Sequence, residues 1–307
     1  MWDLENLAQP RLSGMTERPP DRWYFAALEP NVGVLAFGGT GGAISVCDFN
    51  SPNQHCESVR ARDTDVTYLT VPETDILIAG DQQGNVTVLR RIHQGWTIRQ
   101  NLDGHKAPIH AIMLDRTTGL LFTGDERGEI RVWRMNDEPA MSITLPPEHQ
   151  TAIWQLRVDT ENRRLISGDG GGRVIVWQIA DHFQSFRPLE GQTDTILDIS
   201  AFGNTVVVSD ARGDLSLWRV DSDQPSRNRL VILGSNIWRH AFVGTPRKLV
   251  GLDAAGNVIS WTIDGSPSQP SVLGKMDEPR RDFTSTLSAS DNGRFLIAGD
   301  RSGHVQL

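Results

Sequence analysis

One short pattern recurs along this chain and restricts what it can fold into. An apolar stretch is followed by Gly-Asp-x-x-Gly and then by x-apolar-x-apolar-Trp, and its clearest copy runs from Phe122 to Trp133. The closing glycine returns at separations of 41–47 residues, at Gly42, Gly84, Gly128, Gly172, Gly213, Gly256 and Gly303. Seven units at this period indicate a repeat architecture, in which each unit buries its apolar surface only by stacking against its neighbours.

The residue types within each unit indicate strands. Apolar residues alternate at Ile130 and Val132, which is typical of a strand with one face packed inward. The turn glycine suits a positive φ angle, and Asp125, three residues before Gly128, can accept backbone N–H bonds across the turn. Trp133 offers a large apolar ring to bury between adjacent sheets. With four short strands per unit at a period of ~40–45 residues, the sequence predicts an all-β fold, a seven-bladed β-propeller of four-stranded antiparallel blades.

The strands of each blade can be placed around this motif. One outer strand is predicted at Thr97–Leu102, and a tight turn follows each inner strand. The predicted innermost strands are Trp23–Leu28, Val66–Val71, Ile109–Leu114, Ile153–Val158, Ile196–Ala201, Ile237–Phe242 and Thr284–Ala289.

The two ends of the chain complement each other. The last copy stops at Leu307, one residue before its expected tryptophan, while the chain opens with Met1-Trp2-Asp3. We therefore expect a single propeller over residues 1–307, its ring closed by the N-terminal segment 1–16 against 299–307, with Gln9–Met15 as the outer strand of that blade. The alternative is a slice cut from a longer multi-domain or multi-propeller chain.

The repeat resembles that of the WD-repeat family. Gly104-His105, twenty-eight residues ahead of Trp133, is similar to the family's Gly-His…Trp arrangement, and Glu148-His149 before Trp177 is a degenerate copy. The Trp-Asp dipeptide itself occurs only at Trp2-Asp3, and the residue before each turn glycine is not acidic. These departures predict that the family's buried His–Asp–Ser/Thr–Trp hydrogen-bond network is incomplete in every blade.

Composition excludes several classes of function. The net charge of −8 argues against nucleic-acid and anionic-membrane binding, since both need a basic surface. No apolar run approaches the ~18 residues of a membrane helix, and the N-terminus lacks the pattern of a signal peptide. The only cysteines, Cys47 and Cys56, flank a predicted hairpin loop. We expect two thiols in a reducing compartment, the cytoplasm, although a bridge between them is geometrically conceivable.

No catalytic constellation stands out in the sequence. The glycine-rich run Gly38–Gly42 lacks the Lys-Ser/Thr of a phosphate loop and leads into a strand, so a hairpin turn is expected. His105 and His149 occupy the structural loop position. The repeated carboxylates are interpreted as turn caps, and a cation bound by their ring is the alternative. They are Asp81, Asp125, Asp169, Asp210, Asp253 and Asp300. We expect no cofactor and no tightly held metal.

The remaining hypothesis is binding of other proteins. The sequence favours a protein–protein interaction scaffold or sensor domain within a larger signalling or effector protein, and not an enzyme. The alternative is a propeller hydrolase or lyase with a metal or acid pair at the central channel, which the lack of a non-repeated polar cluster disfavours. The expected partner is a protein or peptide, acidic or phosphorylated, bound by a domain that is monomeric in isolation. Aromatic and basic side chains on the turn-rich face are the candidate contacts. They are Trp238, Arg239, Trp154, Arg127, Arg212, Arg301 and Lys106.

Overall fold

The computed structural model describes most of the chain in seventeen segments. They are residues 2–3, 11–12, 23–29, 34–48, 56–93, 95–135, 141–180, 182–183, 186–221, 225–230, 236–243, 248–253, 255–263, 269–275, 286–289, 296–299 and 305–306. The chain divides into two compact units, Met1–Glu148 and His149–Leu307, which are described in turn. Within the described residues, no helix has the length and apolar character needed to cross a membrane.

The first unit is built of strands. In chain order they are β1 (Trp2–Asp3), β2 (Arg11–Leu12), β3 (Trp23–Glu29), β4 (Val34–Gly39), β5 (Ala43–Asp48), β6 (Cys56–Arg60), β7 (Val66–Glu73), β8 (Ile76–Asp81), β9 (Val86–Ile92), β10 (Gly95–Leu102), β11 (Ile109–Asp115), β12 (Leu120–Asp125), β13 (Ile130–Arg134) and β14 (Ser142–Thr144). A single 3-10 turn, Thr40–Gly42, joins β4 to β5.

The second unit continues the same pattern. Its strands are β15 (Ile153–Asp159), β16 (Arg164–Asp169), β17 (Val174–Gln178), β18 (Phe186–Leu189), β19 (Ile196–Phe202), β20 (Thr205–Asp210), β21 (Leu215–Arg219), β22 (Ser226–Arg229), β23 (Ile237–Val243), β24 (Lys248–Asp253), β25 (Asn257–Thr262), β26 (Ser271–Lys275), β27 (Thr286–Ala289), β28 (Leu296–Gly299) and β29 (Val305–Gln306).

Strands pair antiparallel in chain order, so each sheet is a meander. In the described residues, six sheets have four strands: sheet 1 (β3–β6), sheet 2 (β7–β10), sheet 3 (β11–β14), sheet 4 (β15–β18), sheet 5 (β19–β22) and sheet 6 (β23–β26). Sheet 7 (β27–β29) has three described strands, and β1 pairs with β2. Each predicted innermost strand is the first strand of its sheet. The predicted outer strand lies within β10, the last strand of sheet 2, so one sequence repeat spans the end of one sheet and most of the next.

Consecutive sheets within each unit pack face to face. Apolar side chains of sheets 1 and 2 form one buried cluster, and those of sheets 2 and 3 another. In the second unit, sheets 4 and 5 share a cluster, as do sheets 5 and 6. The first strands of neighbouring sheets also contact each other, as β7 does with β11 and β15 with β19. Sheets 2 and 5, which each lie between two neighbours, therefore have apolar side chains buried on both faces.

The predicted aspartate turn caps are confirmed in five sheets. In sheet 4, Asp169 Oδ1 accepts the backbone N–H of Gly171 at 2.9 Å and of Arg173 at 2.8 Å. Asp81, Asp125, Asp210 and Asp253 make the same pair of bonds. The last residue of each turn has a φ angle of +80° to +88°, a conformation that favours glycine. These residues are Gly84, Gly128, Gly172, Gly213 and Gly256.

The expectation of two free thiols is wrong. Cys47 on β5 and Cys56 on β6 are register partners and form a disulfide. Their side chains point to the same face of two paired strands, which brings the sulfur atoms together. Sequence separation alone did not reveal this, because it depends on where the hairpin register falls.

Candidate protein-interaction surface

Two sheets contain a complete buried hydrogen-bond network, contrary to the sequence prediction. In sheet 4, His149 Nε2 lies 2.7 Å from Ser167 Oγ, and Trp177 Nε1 donates to the same oxygen at 2.8 Å. His149 Nδ1 lies 2.8 Å from Asp169 Oδ2. Sheet 3 repeats this network with His105, Thr123, Asp125 and Trp133. The prediction failed because it looked for the acid next to the turn glycine, whereas the turn-capping aspartate is the network's acid.

Other sheets replace the histidine. In sheet 2, Asn85 Nδ2 donates to Asp81 Oδ2 at 2.7 Å, and in sheet 6, Asn257 Nδ2 donates to Asp253 Oδ2 at 2.8 Å. Both asparagines follow the turn glycine directly, so this substitution is readable from the sequence. Sheet 5 has neither a histidine nor an asparagine at the equivalent positions. Gln192 stands at the histidine position, and its side-chain amide has no hydrogen-bond partner among the described residues.

The electrostatics of the turn aspartates follow these partners. Burial opposes ionisation of Asp169, but the bonds from His149 and from two backbone N–H groups outweigh it and hold its pKa below the usual value. Burial also opposes ionisation of Asp125, but the bonds from His105 and from the turn N–H groups hold its pKa below the usual value. Burial raises the pKa of Asp210, which has no histidine partner, and the bonds from Thr193 and Arg212 do not compensate.

One group among the described residues has the spacing of metal ligands: His105, Asp125 and Glu129. Both ring nitrogens of His105 already lie within hydrogen-bond distance of Asp125 and Thr123. Glu129 accepts a bond from Arg131 Nε. The group is satisfied by its own contacts and belongs to the network of sheet 3.

A bulge marks the same place in the innermost strand of six sheets. In β15, Ile153 pairs with Asp169 and Gln155 with Gly168, which leaves Trp154 as the extra residue. A bulge turns a side chain away from the regular alternation. The six bulged residues, each the second of its strand, are Tyr24, Thr67, His110, Trp154, Leu197 and Trp238. Two of the six, Trp154 and Trp238, are tryptophans, and each follows a residue that pairs with a turn aspartate.

Trp154 lies on a continuous surface in the second unit. A Cβ placed on Gly170, in the turn of sheet 4, would lie 3.2 Å from Trp154 Nε1. Thr195 Oγ1 donates to Gly170 O at 3.1 Å, and Thr195 O accepts the N–H of Ala211 at 2.9 Å. The turn of sheet 5 then packs against Asn236, two residues before Trp238. We call this surface, formed by residues 151–154, 170–172, 191–195, 211–213 and 236–239, the turn face.

The candidate residues differ in exposure on the turn face. Trp154 is 42% exposed, whereas Trp238 is half-buried and its Nε1 has no hydrogen-bond partner among the described residues. Arg239 donates to the backbone oxygens of Leu197 and Trp238, so it ties neighbouring strands together. The Arg212 side chain is 66% exposed, and its Nε lies 3.4 Å from Asp194 Oδ2.

The other candidate residues lie outside the turn face. Lys106 and Arg127 are exposed at the turn-rich end of sheet 3, in the first unit. The turn of sheet 2 packs against the loop of Lys106, since a Cβ on Gly84 would lie 2.7 Å from Ala107 O. Arg301 lies outside the described residues.

A non-repeated polar cluster joins the innermost strands of sheets 4 to 6, and the expectation that none exists is wrong. Gln155 Nε2 donates to Leu197 O at 2.9 Å, and Arg157 Nε donates to Ile199 O at 3.1 Å. Asp198 Oδ2 accepts the backbone N–H of His240 at 3.0 Å. Strand-sized sequence windows do not reveal the cluster, because its members come from three repeats.

The cluster consists mainly of satisfied structural bonds. The guanidinium groups of Arg157 and Arg239 in this cluster donate to backbone oxygens, and Ser200 Oγ lies 2.9 Å from His240 Nδ1. Burial lowers the pKa of His240, so the ring stays neutral near pH 7. Its Nε2 has no partner among the described residues.

Comparison with known proteins agrees with this geometry. Residues 96–134, which span β10 to β13, match the family model described as WD domain, G-beta repeat. One repeat of this chain therefore matches the WD-repeat family model. The match covers the repeat that has the complete network of His105 and Trp133.

A solved structure extends the agreement over the whole length. A chain in the crystal structure of the mitotic checkpoint complex has a TM-score of 0.70 to this chain at 16% sequence identity. The similarity covers 96% of this chain and 95% of that one, and at this identity it shows the propeller fold. None of the curated proteins compared with the chain matches it.

Proposed function

We propose that this WD-repeat propeller is a protein–protein interaction scaffold, and that the turn face is where it binds a partner. The observation that carries the proposal is Trp154. It is a large side chain left 42% exposed by a bulge, on a surface whose loops are held together by hydrogen bonds. A rigid aromatic side chain gives much contact area at little entropic cost, which is typical of binding hot spots.

The charges of the turn face suggest the partner's chemistry. Arg212 is largely exposed, and among the described residues its guanidinium pairs with Asp194 alone, a surface ion pair of little strength. A carboxylate or phosphate from a partner would compete well for that guanidinium, because Arg binds both groups bidentately. The proposal therefore names an acidic or phosphorylated peptide, bound with Trp154 as the apolar anchor and Arg212 as the charged one.

The test uses selected peptides and matched variants of the full chain. Twelve-residue peptides selected from a random display library would be labelled with fluorescein and titrated with protein by fluorescence anisotropy. Trp154→Ala should weaken binding tenfold or more, and Arg212→Ala should weaken the acidic peptides selectively. The matched control is Phe202→Ala, since Phe202 is 37% exposed at the other end of an innermost strand. Equal losses in Trp154→Ala and Phe202→Ala would contradict the assignment to the turn face.

Two finer points belong to the same proposal. The scaffold is expected to act without chemistry of its own, because the polar cluster of sheets 4 to 6 donates its charged groups to backbone oxygens. The expected cytoplasmic location rested on two free thiols. The Cys47–Cys56 disulfide removes that basis, since reducing compartments keep thiols reduced.

A further inference from the structure

A second candidate site lies in the first unit, between sheets 2 and 3 at the end away from the aspartate turns. It is a cavity of about 260 Å³ lined by both sheets and by the turn 116–119 that joins β11 to β12. Its apolar walls include Ile76, Leu114 and Met135, which are half-buried and continue the buried cluster between the two sheets. The volume is below the ~300–1,000 Å³ of sites for drug-sized ligands. It suits one large apolar side chain.

The rim of this cavity is positively charged. Arg90, Arg99 and Arg116 line it with a single carboxylate, Glu73. Arg99 and Arg116 are exposed, and Arg90 Nε lies 3.1 Å from Asp75 Oδ2. Because Asp75 offsets Arg90, the lining arginines exceed the neighbouring carboxylates Glu73 and Asp75 by one charge, opposite in sign to the net charge of −8 of the whole chain. Such a reversal attracts anionic groups.

The rim is also held in place before any partner arrives. Asp115 accepts the hydroxyls of Thr117 and Thr118 and the backbone N–H of Thr117, which fixes the turn. Met135 N–H donates to Gly119 O at 3.2 Å and ties the turn to the wall of the cavity. Arg99 is the bulged residue of β10, between Ile98 and Gln100, which turns its side chain out of the strand's regular alternation. A site that is ordered in advance loses less entropy on binding.

We infer that this cavity binds a short acidic segment of a partner protein, with one large apolar residue inserted between the sheets and carboxylates on either side held by the arginines. Charge complementarity selects this occupant over a basic or neutral peptide, and the size of the cavity selects one anchor residue. The site is separate from the turn face and does not depend on the function proposed there.

The experiment uses a defined probe and the full chain. A fluorescein-labelled nonapeptide with a central phenylalanine and two acidic residues on each side would be titrated by fluorescence anisotropy. We expect saturable binding that weakens as salt is added, because exposed charges are screened. Replacing the central phenylalanine by alanine, or the acidic residues by lysine, should abolish it.

Matched protein variants locate the binding. Arg99→Glu should weaken binding at least tenfold, while Arg163→Glu, an equally large charge change at an exposed arginine outside both candidate sites, should leave it unchanged. Arg212→Glu is the variant that reports binding at the turn face. Circular dichroism melting would verify that all three variants remain folded. A benzophenone in place of the phenylalanine should cross-link to residues 114–135, read by mass spectrometry. No saturable binding, or cross-links outside sheets 2 and 3, would overturn the inference. A loss in Arg212→Glu alone would also overturn it, and would instead support binding at the turn face.

Discussion

At the scale of single residues, the hydroxyl of Ser167 in sheet 4 contributes strongly to stability. Ser167 Oγ contacts both Trp177 Nε1 and His149 Nε2, and all three side chains are buried. Ser167→Ala leaves two buried polar groups without partners, each costing about 1–3 kcal/mol. We expect a loss of about 2–4 kcal/mol in the free energy of unfolding, measured by urea denaturation. The control, Ser226→Ala at an exposed position of β22, should change it by less than about 0.5 kcal/mol.

The equivalent position of sheet 5 offers the reverse experiment. Val208 occupies it, and Trp218 Nε1 has no hydrogen-bond partner among the described residues. Val208→Thr keeps the shape of the side chain and replaces one methyl group by a hydroxyl, which can accept a hydrogen bond from the indole N–H of Trp218. We expect unchanged or higher stability, whereas Val176→Thr, at a buried position of sheet 4, should be destabilising. An equal loss in both variants would show that Trp218 gains nothing from the hydroxyl.

The turn aspartates should differ from one another in pKa. Carbon-13 NMR of the side-chain carboxyls should show Asp125 and Asp169 with pKa values below the usual ~3.9, and Asp210 above it. A lowered pKa in the folded state means that Asp125 and Asp169 stabilise the fold above the unfolded value, and that this stabilisation is lost as the pH falls through the folded value. Asp210 has the opposite sign: because its folded pKa is raised, its contribution to stability is present below the unfolded pKa and is lost as the pH rises through the folded pKa. His149→Gln should raise the pKa of Asp169, and an unchanged value would contradict the assigned cause.

At the scale of elements, the disulfide that joins β5 to β6 can be tested directly. Cys47 and Cys56 are nine residues apart, and closing a loop of this size stabilises a fold by about 2–3 kcal/mol through the unfolded chain. Iodoacetamide in denaturant should label no cysteine before reduction and both after it. Without reductant, Cys56→Ser should lower the free energy of unfolding by about that amount. Reductant should lower the stability of the parent by a similar amount and leave the variant unchanged, since only the parent has the cross-link. Labelling of both thiols without reductant would contradict the disulfide.

At the scale of the whole molecule, closure of the ring stays a prediction. The paired strands β1 and β2 belong to one unit and β27–β29 to the other, and we propose that residues 305–307 continue into Trp2–Asp3 as one broken strand. Deleting residues 1–16 would then expose a strand edge and lower the melting temperature by about 5 °C or more. A circular permutant that joins the ends and opens the chain between the exposed Thr160 and Glu161 should melt near the parent temperature. An unchanged melting temperature after the deletion would disprove closure.

The amino-acid sequence by itself determined the periodic part of this protein. The spacing of the turn glycines, the strand alternation and the aspartate caps are local features, set by backbone conformation within about ten residues, and the structure confirms them from Asp81 to Asp253. The tertiary structure decided what depends on contacts between repeats. The Cys47–Cys56 bond followed from hairpin register, and the bonds of Arg157 and Asp198 followed from which strands lie side by side. The arginine-rimmed cavity also needs two sheets, because its walls and its charges come from different repeats.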